Sequence, residues 1–122
     1  MSTKIYKIAA TTLILLLLCV PAAYAFSPNC YCTLVNGGSF VNAYAVSSAD
    51  VVCTQIRADG SFYVDGVLAD TASGNRVGDT WAQANMSANN PSGSQQFYAF
   101  GYHYIVYNGV AYTYNSSKLQ SY

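Results

Sequence analysis

Few residues in this 122-residue sequence could carry acid–base or nucleophilic chemistry. His103 is the single histidine, so an imidazole base acting near neutral pH would have to be this side chain. In a cysteine–histidine catalytic pair, His103 would activate the thiol of Cys30, Cys32 or Cys53. That thiol would have to stay reduced. The N-terminus, described below, indicates export into an oxidising compartment, which opposes a reduced thiol. We therefore expect no enzyme and no catalytic residue, with a hydrolase centred on His103 as the alternative.

The acidic side chains favour turns over catalysis or metal binding. Asp59 and Asp65 each precede a glycine, and Asp50, Asp70 and Asp79 lie at the ends of predicted strands. The segment between Asp59 and Asp65 lacks the alternating oxygen ligands of a calcium loop. One histidine and three cysteines also lack the second closely spaced pair that zinc sites use. We expect no metal and no cofactor.

The first 25 residues have the pattern of a secretory signal peptide. Lys4 and Lys7 precede an apolar run from Leu13 to Val20, and Pro21 breaks that run. The small residues of Ala23-Tyr24-Ala25 then form a cleavage site. We expect residues 1–25 to be removed, leaving residues 26–122 as one domain without a membrane span. The protein would then be secreted, periplasmic or at the cell surface.

The charge of residues 26–122 excludes two classes of partner. Residues 26–122 contain three cationic side chains and five aspartates, so their net charge is three minus five, or −2. Nucleic-acid binding requires a basic surface that releases counterions, and binding to anionic membranes requires a polybasic segment. We expect neither activity.

Three cysteines follow the predicted cleavage site. In an oxidising compartment we expect one of Cys30 and Cys32 to form a disulfide with Cys53, which would contribute about 3 kcal/mol through loop closure. The odd count leaves one thiol, which is either buried or bonded to another chain.

The pattern from Phe26 onward predicts an all-β fold. Short runs rich in Val, Tyr, Phe and Thr alternate with Gly, Asn and Ser, and nothing in this part indicates a helix. Eight short strands in 97 residues favour a single small antiparallel β-sandwich, with a small β-barrel as the alternative. The predicted strands are Tyr31–Val35, Ser39–Val46, Val51–Arg57, Ser61–Val64, Val67–Asp70, Arg76–Met86, Gln96–Tyr107 and Val110–Ser116.

The most aromatic stretch spans residues 97–114 and carries eight aromatic rings around Asn108-Gly109. Asn-Gly and Asp-Gly pairs favour two-residue hairpin turns, so we also expect a turn at Asp65-Gly66. Counting outward from Asn108-Gly109 places His103 opposite Tyr114.

Period-two alternation then sorts the hairpin into two faces, neither of which carries a charged side chain. One face holds Phe97, Ala99, Gly101, His103, Ile105, Tyr107, Val110, Tyr112 and Tyr114. The other face carries an aromatic row of four residues, which are Tyr98, Phe100, Tyr102 and Tyr104.

The aromatic row suggests either a core or a binding surface. Its cross-strand neighbours Ala111 and Thr113 are small and would leave the rings uncovered. Exposed aromatic patches of this kind mark interaction sites, and Trp81 is a further candidate anchor. We expect a non-enzymatic protein that self-associates or binds a protein partner through this hairpin. The alternative is a small carbohydrate-binding or enzyme-inhibitor module.

Two partial resemblances accompany this interpretation. The chain resembles chaperone–usher pilus subunits in its predicted export, its first-strand cysteines and its aromatic C-terminal part with Gly109 and Tyr122. The segment DGVLADTASGNRVGDTW, residues 65–81, is similar to the serine–glycine loop region of small exported lysozyme inhibitors. Each covers only a small part of the chain, so neither transfers a function.

Overall fold

The computed structural model describes residues 26–122, and every regular element in this range is a β-strand. The all-β prediction is therefore confirmed. The predicted signal peptide lies outside the described residues, and residues 26–122 contain no helix long and apolar enough to cross a membrane. The strands are β1 (Pro28–Asn36), β2 (Phe40–Val64), β3 (Val67–Asn89), β4 (Gln96–Tyr107) and β5 (Val110–Ser121).

The described residues form five strands, whereas the sequence pattern predicts eight. Three predicted strands are parts of the 25-residue β2, and two are parts of the 23-residue β3. The polar and glycine residues between them do not all turn, because residues 57–61 of β2 and residues 71–75 of β3 pair with each other and so provide partners for backbone groups. Between Ser48 and Cys53 the pairing of β2 with β3 shifts register, which marks a bulge and not a turn.

All five strands belong to one antiparallel sheet, and two long strands run through all of it. The order is β1-β2-β4-β5, and β3 pairs with the other edge of β2. The first half of the sheet contains β1, residues 40–48 and residues 81–89. The second half contains residues 55–64, residues 67–79, β4 and β5.

The sheet curls so that these two halves face each other across the core. Gly60 in the second half lies against Met86 and Ala45 in the first half. Most interior side chains are small, which lets the halves approach closely. The largest fully buried side chains are those of Phe62 and Phe97, whose ring centroids lie 5.9 Å apart. The fully buried small apolar residues are Ala43, Ala45, Ala58, Ala82 and Ala99.

Both predicted two-residue turns are present. The central residues have positive φ values, 48° and 78° at Asp65-Gly66 and 53° and 75° at Asn108-Gly109. Such values are what the tight hairpin turn requires. The register of β4 with β5 is also as predicted, with His103 opposite Tyr114.

The two halves also meet at a corner within β3, where Gly74 allows direct backbone contact. A Cβ atom on Gly74 would lie 2.1 Å from the carbonyl oxygen of Gln83. A Cβ atom on Gly60 would lie 2.3 Å from the terminal methyl group of Met86, which is the flexible end of a side chain.

We expect Gly74→Ala to lower the free energy of unfolding more than Gly60→Ala does. The first substitution must displace backbone, which costs about 1–3 kcal/mol, whereas Met86 can rotate away from the second. Urea unfolding of the two variants and the unchanged protein measures the difference. Equal losses, or a larger loss for Gly60→Ala, would contradict the close backbone contact at this corner.

Candidate functional site

The aromatic row lies on the outer face of the second half of the sheet. Along β4, Phe97, Ala99, His103 and Ile105 point into the core and are fully buried. The row residues between them are half-buried or exposed, and Tyr102 keeps 38% of its surface exposed. The row is therefore an external surface.

Hydrogen-bonding side chains flank the row on both sides. On β2, Arg57 lies opposite Tyr104 and Asp59 lies opposite Tyr102. On β5, Asn115 lies opposite Tyr102 on the other side. At Tyr102 the apolar surface is thus about one strand wide, roughly 5 Å, with polar groups along both margins.

Arg57 and Asp59 form the charged part of this face. The Nε atom of Arg57 donates to Asp59 at 2.8 Å, and the hydroxyl of Ser73 donates to Asp59 at 2.7 Å. The hydrogen bond from Arg57 holds the pKa of Asp59 below its usual range, despite partial burial that acts in the opposite direction. Asp59 is therefore an ionised acceptor held in one orientation.

A groove with a volume of about 480 Å³ opens at the end of the row near the turn of β2 and β3. The rings of Tyr63 and Tyr98 form one side of it, with centroids 6.0 Å apart. Its lining residues are Tyr63, Gly66, Gln96, Tyr98, Phe100 and Leu119.

Trp81 lies apart from the row. It pairs with Ser48 at the bend of the sheet and is 40% exposed. The guanidinium of Arg76 lies 5.8 Å from the centre of its ring, a cation–π arrangement. The structure therefore does not bring Trp81 together with the other candidate binding residues.

The three cysteines are free thiols, so the expected disulfide with Cys53 is absent from the described residues. Cys32 packs in one core cluster with Phe62 and Phe97, whereas Cys53 packs in another with Ile105. The side chains of Cys32 and Cys53 are thus directed to different parts of the interior. Cys30 packs against the second cluster and is half-buried. Burial raises the pKa of all three thiols.

His103 is fully buried, and both of its ring nitrogens have partners from other strands. Its Nδ1 atom lies 2.7 Å from the hydroxyl of Ser47, and its Nε2 atom lies 2.6 Å from the hydroxyl of Ser116. The hydroxyl of Ser47 also donates to the carbonyl oxygen of Arg57 at 2.7 Å.

These contacts determine the tautomer of the imidazole. Ser47 has one hydroxyl proton and donates it to the Arg57 carbonyl, so it must accept from Nδ1–H of His103. Nε2 then carries the lone pair and accepts from Ser116. The hydroxyl oxygen of Ser116 lies 3.2 Å from the sulfur of Cys32, which can donate its proton in turn. The result is a continuous hydrogen-bond chain across the interior.

Because Gly101 has no side chain, it leaves the space that this hydrogen-bond chain occupies. A Cβ atom at this position would lie 2.8 Å from Nε2 of His103, 2.8 Å from the hydroxyl of Ser116 and 2.9 Å from the sulfur of Cys32. Three polar side chains therefore converge on one glycine in the interior of a strand.

The serine–histidine contact has the spacing of a nucleophile and its base, but its surroundings disfavour the charged form of the imidazole. A base that takes a proton becomes an imidazolium, which burial destabilises. Nδ1 donates to a neutral hydroxyl and not to a carboxylate that would stabilise the cation. Burial accordingly lowers the pKa of His103, and Asp59 on the outer face opposes this only in part.

Sequence reasoning found His103 but missed both of its partners. Ser116 follows Tyr114 by two residues and so shares the inner face, a signal that the predicted register already contained. Ser47 comes from the other half of the sheet, and no local pattern indicates that contact.

No protein-family model matches this chain, and no curated protein matches it by sequence. Among solved structures, the chain is similar to the protein AT1g01470 from Arabidopsis thaliana, whose solution structure is known. The superposition has a TM-score of 0.48 and 11% sequence identity, and covers 84% of this chain and 86% of that chain. A likeness at this level carries no argument about function.

We expect the free energy of unfolding to fall when the pH drops from 7.5 to 5. Folded His103 resists protonation, whereas in the unfolded chain it takes up a proton near its ordinary pKa of 6.5. Below that pH the unfolded state binds more protons than the folded state, so the free energy of unfolding falls. Urea unfolding across this range measures the effect.

The matched control is His103→Gln, which keeps a donor and an acceptor but does not titrate. This variant should lose most of the pH dependence between pH 7.5 and 5. Asp59 does not interfere, because its pKa lies below its ordinary value of 3.8. An unchanged pH dependence in His103→Gln would show that another group is responsible.

Proposed function

We propose that this chain is an exported, non-enzymatic protein that self-associates through the hairpin of β4 and β5. The observation that carries the proposal is the aromatic row, which lies on an outer face where its rings are half-buried or exposed. Exposed aromatic patches mark interaction sites, and tyrosine is enriched at protein interfaces. The net charge of residues 26–122 is three minus five, or −2, so two copies of the chain repel each other only weakly.

A second feature of the hairpin supports self-association. Among residues 26–122, β5 is at the end of the strand order and pairs only with β4, so one edge of this 12-residue strand has no strand partner in this range. An open edge is a template for pairing with another chain.

A covalent bond between copies would use Cys30. Cys32 and Cys53 are buried, whereas Cys30 is half-buried on the edge strand β1. A disulfide requires the two sulfur atoms to approach within about 2 Å, which a buried thiol cannot do without opening the core.

The proposal includes a finer description of the fold. We regard the sheet as a β-sandwich in which β2 and β3 run through both layers. Contacts between Gly60 and Met86, and between His103 and Ser47, support this description, because each joins one half of the sheet to the other.

We propose a structural role for His103 in place of a catalytic one. Its ring is fully buried, and each nitrogen already has a partner within the chain. A general base must come within hydrogen-bond distance of the proton that it removes from a substrate.

We expect Tyr102→Ser to weaken self-association by about tenfold or more, because a tyrosine at the centre of an interface contributes strongly to binding. Sedimentation velocity over a range of protein concentrations measures the association constant. The matched control is Tyr31→Ser on the first half of the sheet, since Tyr31 is 42% exposed and Tyr102 is 38% exposed. Monomer at every concentration, or equal effects of the two substitutions, would contradict the proposal.

Carbohydrate binding at the same face is a second candidate, and the polar margins of the row favour it. A narrow line of rings can stack on the apolar faces of sugar rings, while Asp59, Arg57 and Asn115 provide hydrogen bonds to hydroxyl groups. The groove beside Tyr63 and Tyr98 is large enough to hold a small ligand.

If this candidate is correct, a glycan array probed with the protein should give hits that Tyr98→Ala reduces by about tenfold or more. Tyr31→Ala should leave the signal unchanged, because Tyr31 lies on the other half of the sheet. An array without hits, or equal loss in both variants, would exclude carbohydrate binding at this groove.

A further inference from the structure

The edge of β5 differs from the other two open edges of the sheet. β1 is shorter and begins with a proline, which cannot donate a hydrogen bond. β3 has irregular pairing and carries Asp70, Arg76 and Asp79. In contrast, β5 pairs with β4 over twelve consecutive positions without a register shift, and its first eight residues are uncharged.

Lys118 is the only charged residue of β5. It lies opposite the inward-facing Ala99, so it is on the inner face of an edge strand. A lysine in that position opposes pairing with another strand. The unprotected part of the edge is therefore residues 110–117.

The hairpin geometry shows which backbone groups of this edge are free. In a two-residue hairpin, Tyr107 and Val110 flank the turn and exchange hydrogen bonds, and alternate pairs beyond them do the same. The N–H and C=O groups of Ala111, Thr113 and Asn115 then face away from β4. They have no backbone partner within residues 26–122.

We propose that the occupant of this edge is a second copy of the chain, whose β5 pairs antiparallel with the first across a two-fold axis at Thr113. This inference rests on the proposed self-association and adds a second contact, at the edge of β5, to the contact through the aromatic row. The pairing forms about six backbone hydrogen bonds between the two copies. It joins two sheets of the same kind into one continuous sheet.

The sequence of β5 is self-complementary in this register. Thr113 faces Thr113 of the other copy. On the inner face, Tyr112 of each copy faces Tyr114 of the other, so this pair occurs twice. Cross-strand pairs of threonines and of aromatic residues stabilise sheets. Lys118 would face the turn residue Asn108 and so lies outside the paired stretch.

Neighbouring registers are less favourable. An axis at Tyr112 shortens the paired stretch to residues 110–114, because the turn at Gly109 ends it. An axis at Tyr114 places Lys118 opposite Val110. An axis at Thr113 gives the longest paired stretch that leaves Lys118 out.

The first test compares Thr113→Lys with Ser117→Lys by sedimentation velocity. Thr113 and Ser117 are both exposed on the outer face of β5, so the monomer tolerates either substitution. Thr113→Lys places two positive charges opposite each other at the axis and should weaken association at least tenfold. Ser117→Lys adds the same charge away from the axis and should change association less than twofold.

The second test uses oxidative crosslinking of single introduced cysteines, with the unchanged protein as the background. Thr113→Cys should yield a crosslinked dimer, because antiparallel partners lie about 5.5 Å apart. Ser117→Cys should not, because its two copies would lie about 27 Å apart along the strand. This test does not depend on how Thr113→Lys affects folding.

Two results would overturn the edge contact. One is association of Thr113→Lys at the strength of the unchanged protein, and the other is crosslinking of Ser117→Cys as readily as Thr113→Cys. If association persists in Thr113→Lys but is lost in Tyr102→Ser, the result supports self-association through the outer face. It contradicts the proposed pairing at the edge of β5. If the unchanged protein is monomeric at every concentration, both proposals fail.

Discussion

The hydrogen-bond chain through His103 is the interaction on which the arrangement of the strands depends. It begins at a carbonyl group of β2, passes through Ser47, His103 and Ser116, and reaches Cys32 on β1. It therefore joins four strands and both halves of the sheet. A buried polar group that loses its partner costs about 1–3 kcal/mol, so the halves cannot slide past each other without large losses.

The close approach of the halves explains where the tyrosines lie. The interior is rich in alanines, and a Cβ atom added at Gly60, Gly74 or Gly101 would lie less than 3 Å from a neighbouring atom. Two phenylalanine rings are fully buried there, and none of the tyrosines in residues 26–122 is fully buried. The tyrosine rings of the aromatic row lie on the outer face instead, where the hydroxyl groups can stay in contact with water. An aromatic exterior is thus a consequence of a narrow interior.

The hairpin of β4 and β5 presents two surfaces of different chemistry. The outer face offers aromatic rings between polar margins, which suits the stacking of a flat partner. The edge of β5 offers backbone donors and acceptors in the plane of the sheet, which suits another strand. Since these surfaces are roughly perpendicular, a copy at the edge leaves the aromatic row and the groove beside Tyr98 open.

The sequence by itself determined the strand type, both glycine turns and the register of the hairpin, because these depend on neighbouring residues and on period-two alternation. It also grouped Tyr98, Phe100, Tyr102 and Tyr104 on one face of the hairpin and showed the low charge, but it left open whether that face is core or surface. It did not indicate that Ser47 meets His103, that Trp81 lies apart from the row, or that Cys53 lies in a different core cluster from Cys32. Only the tertiary structure decided these contacts, because the curl of the sheet brings together residues from distant parts of the chain.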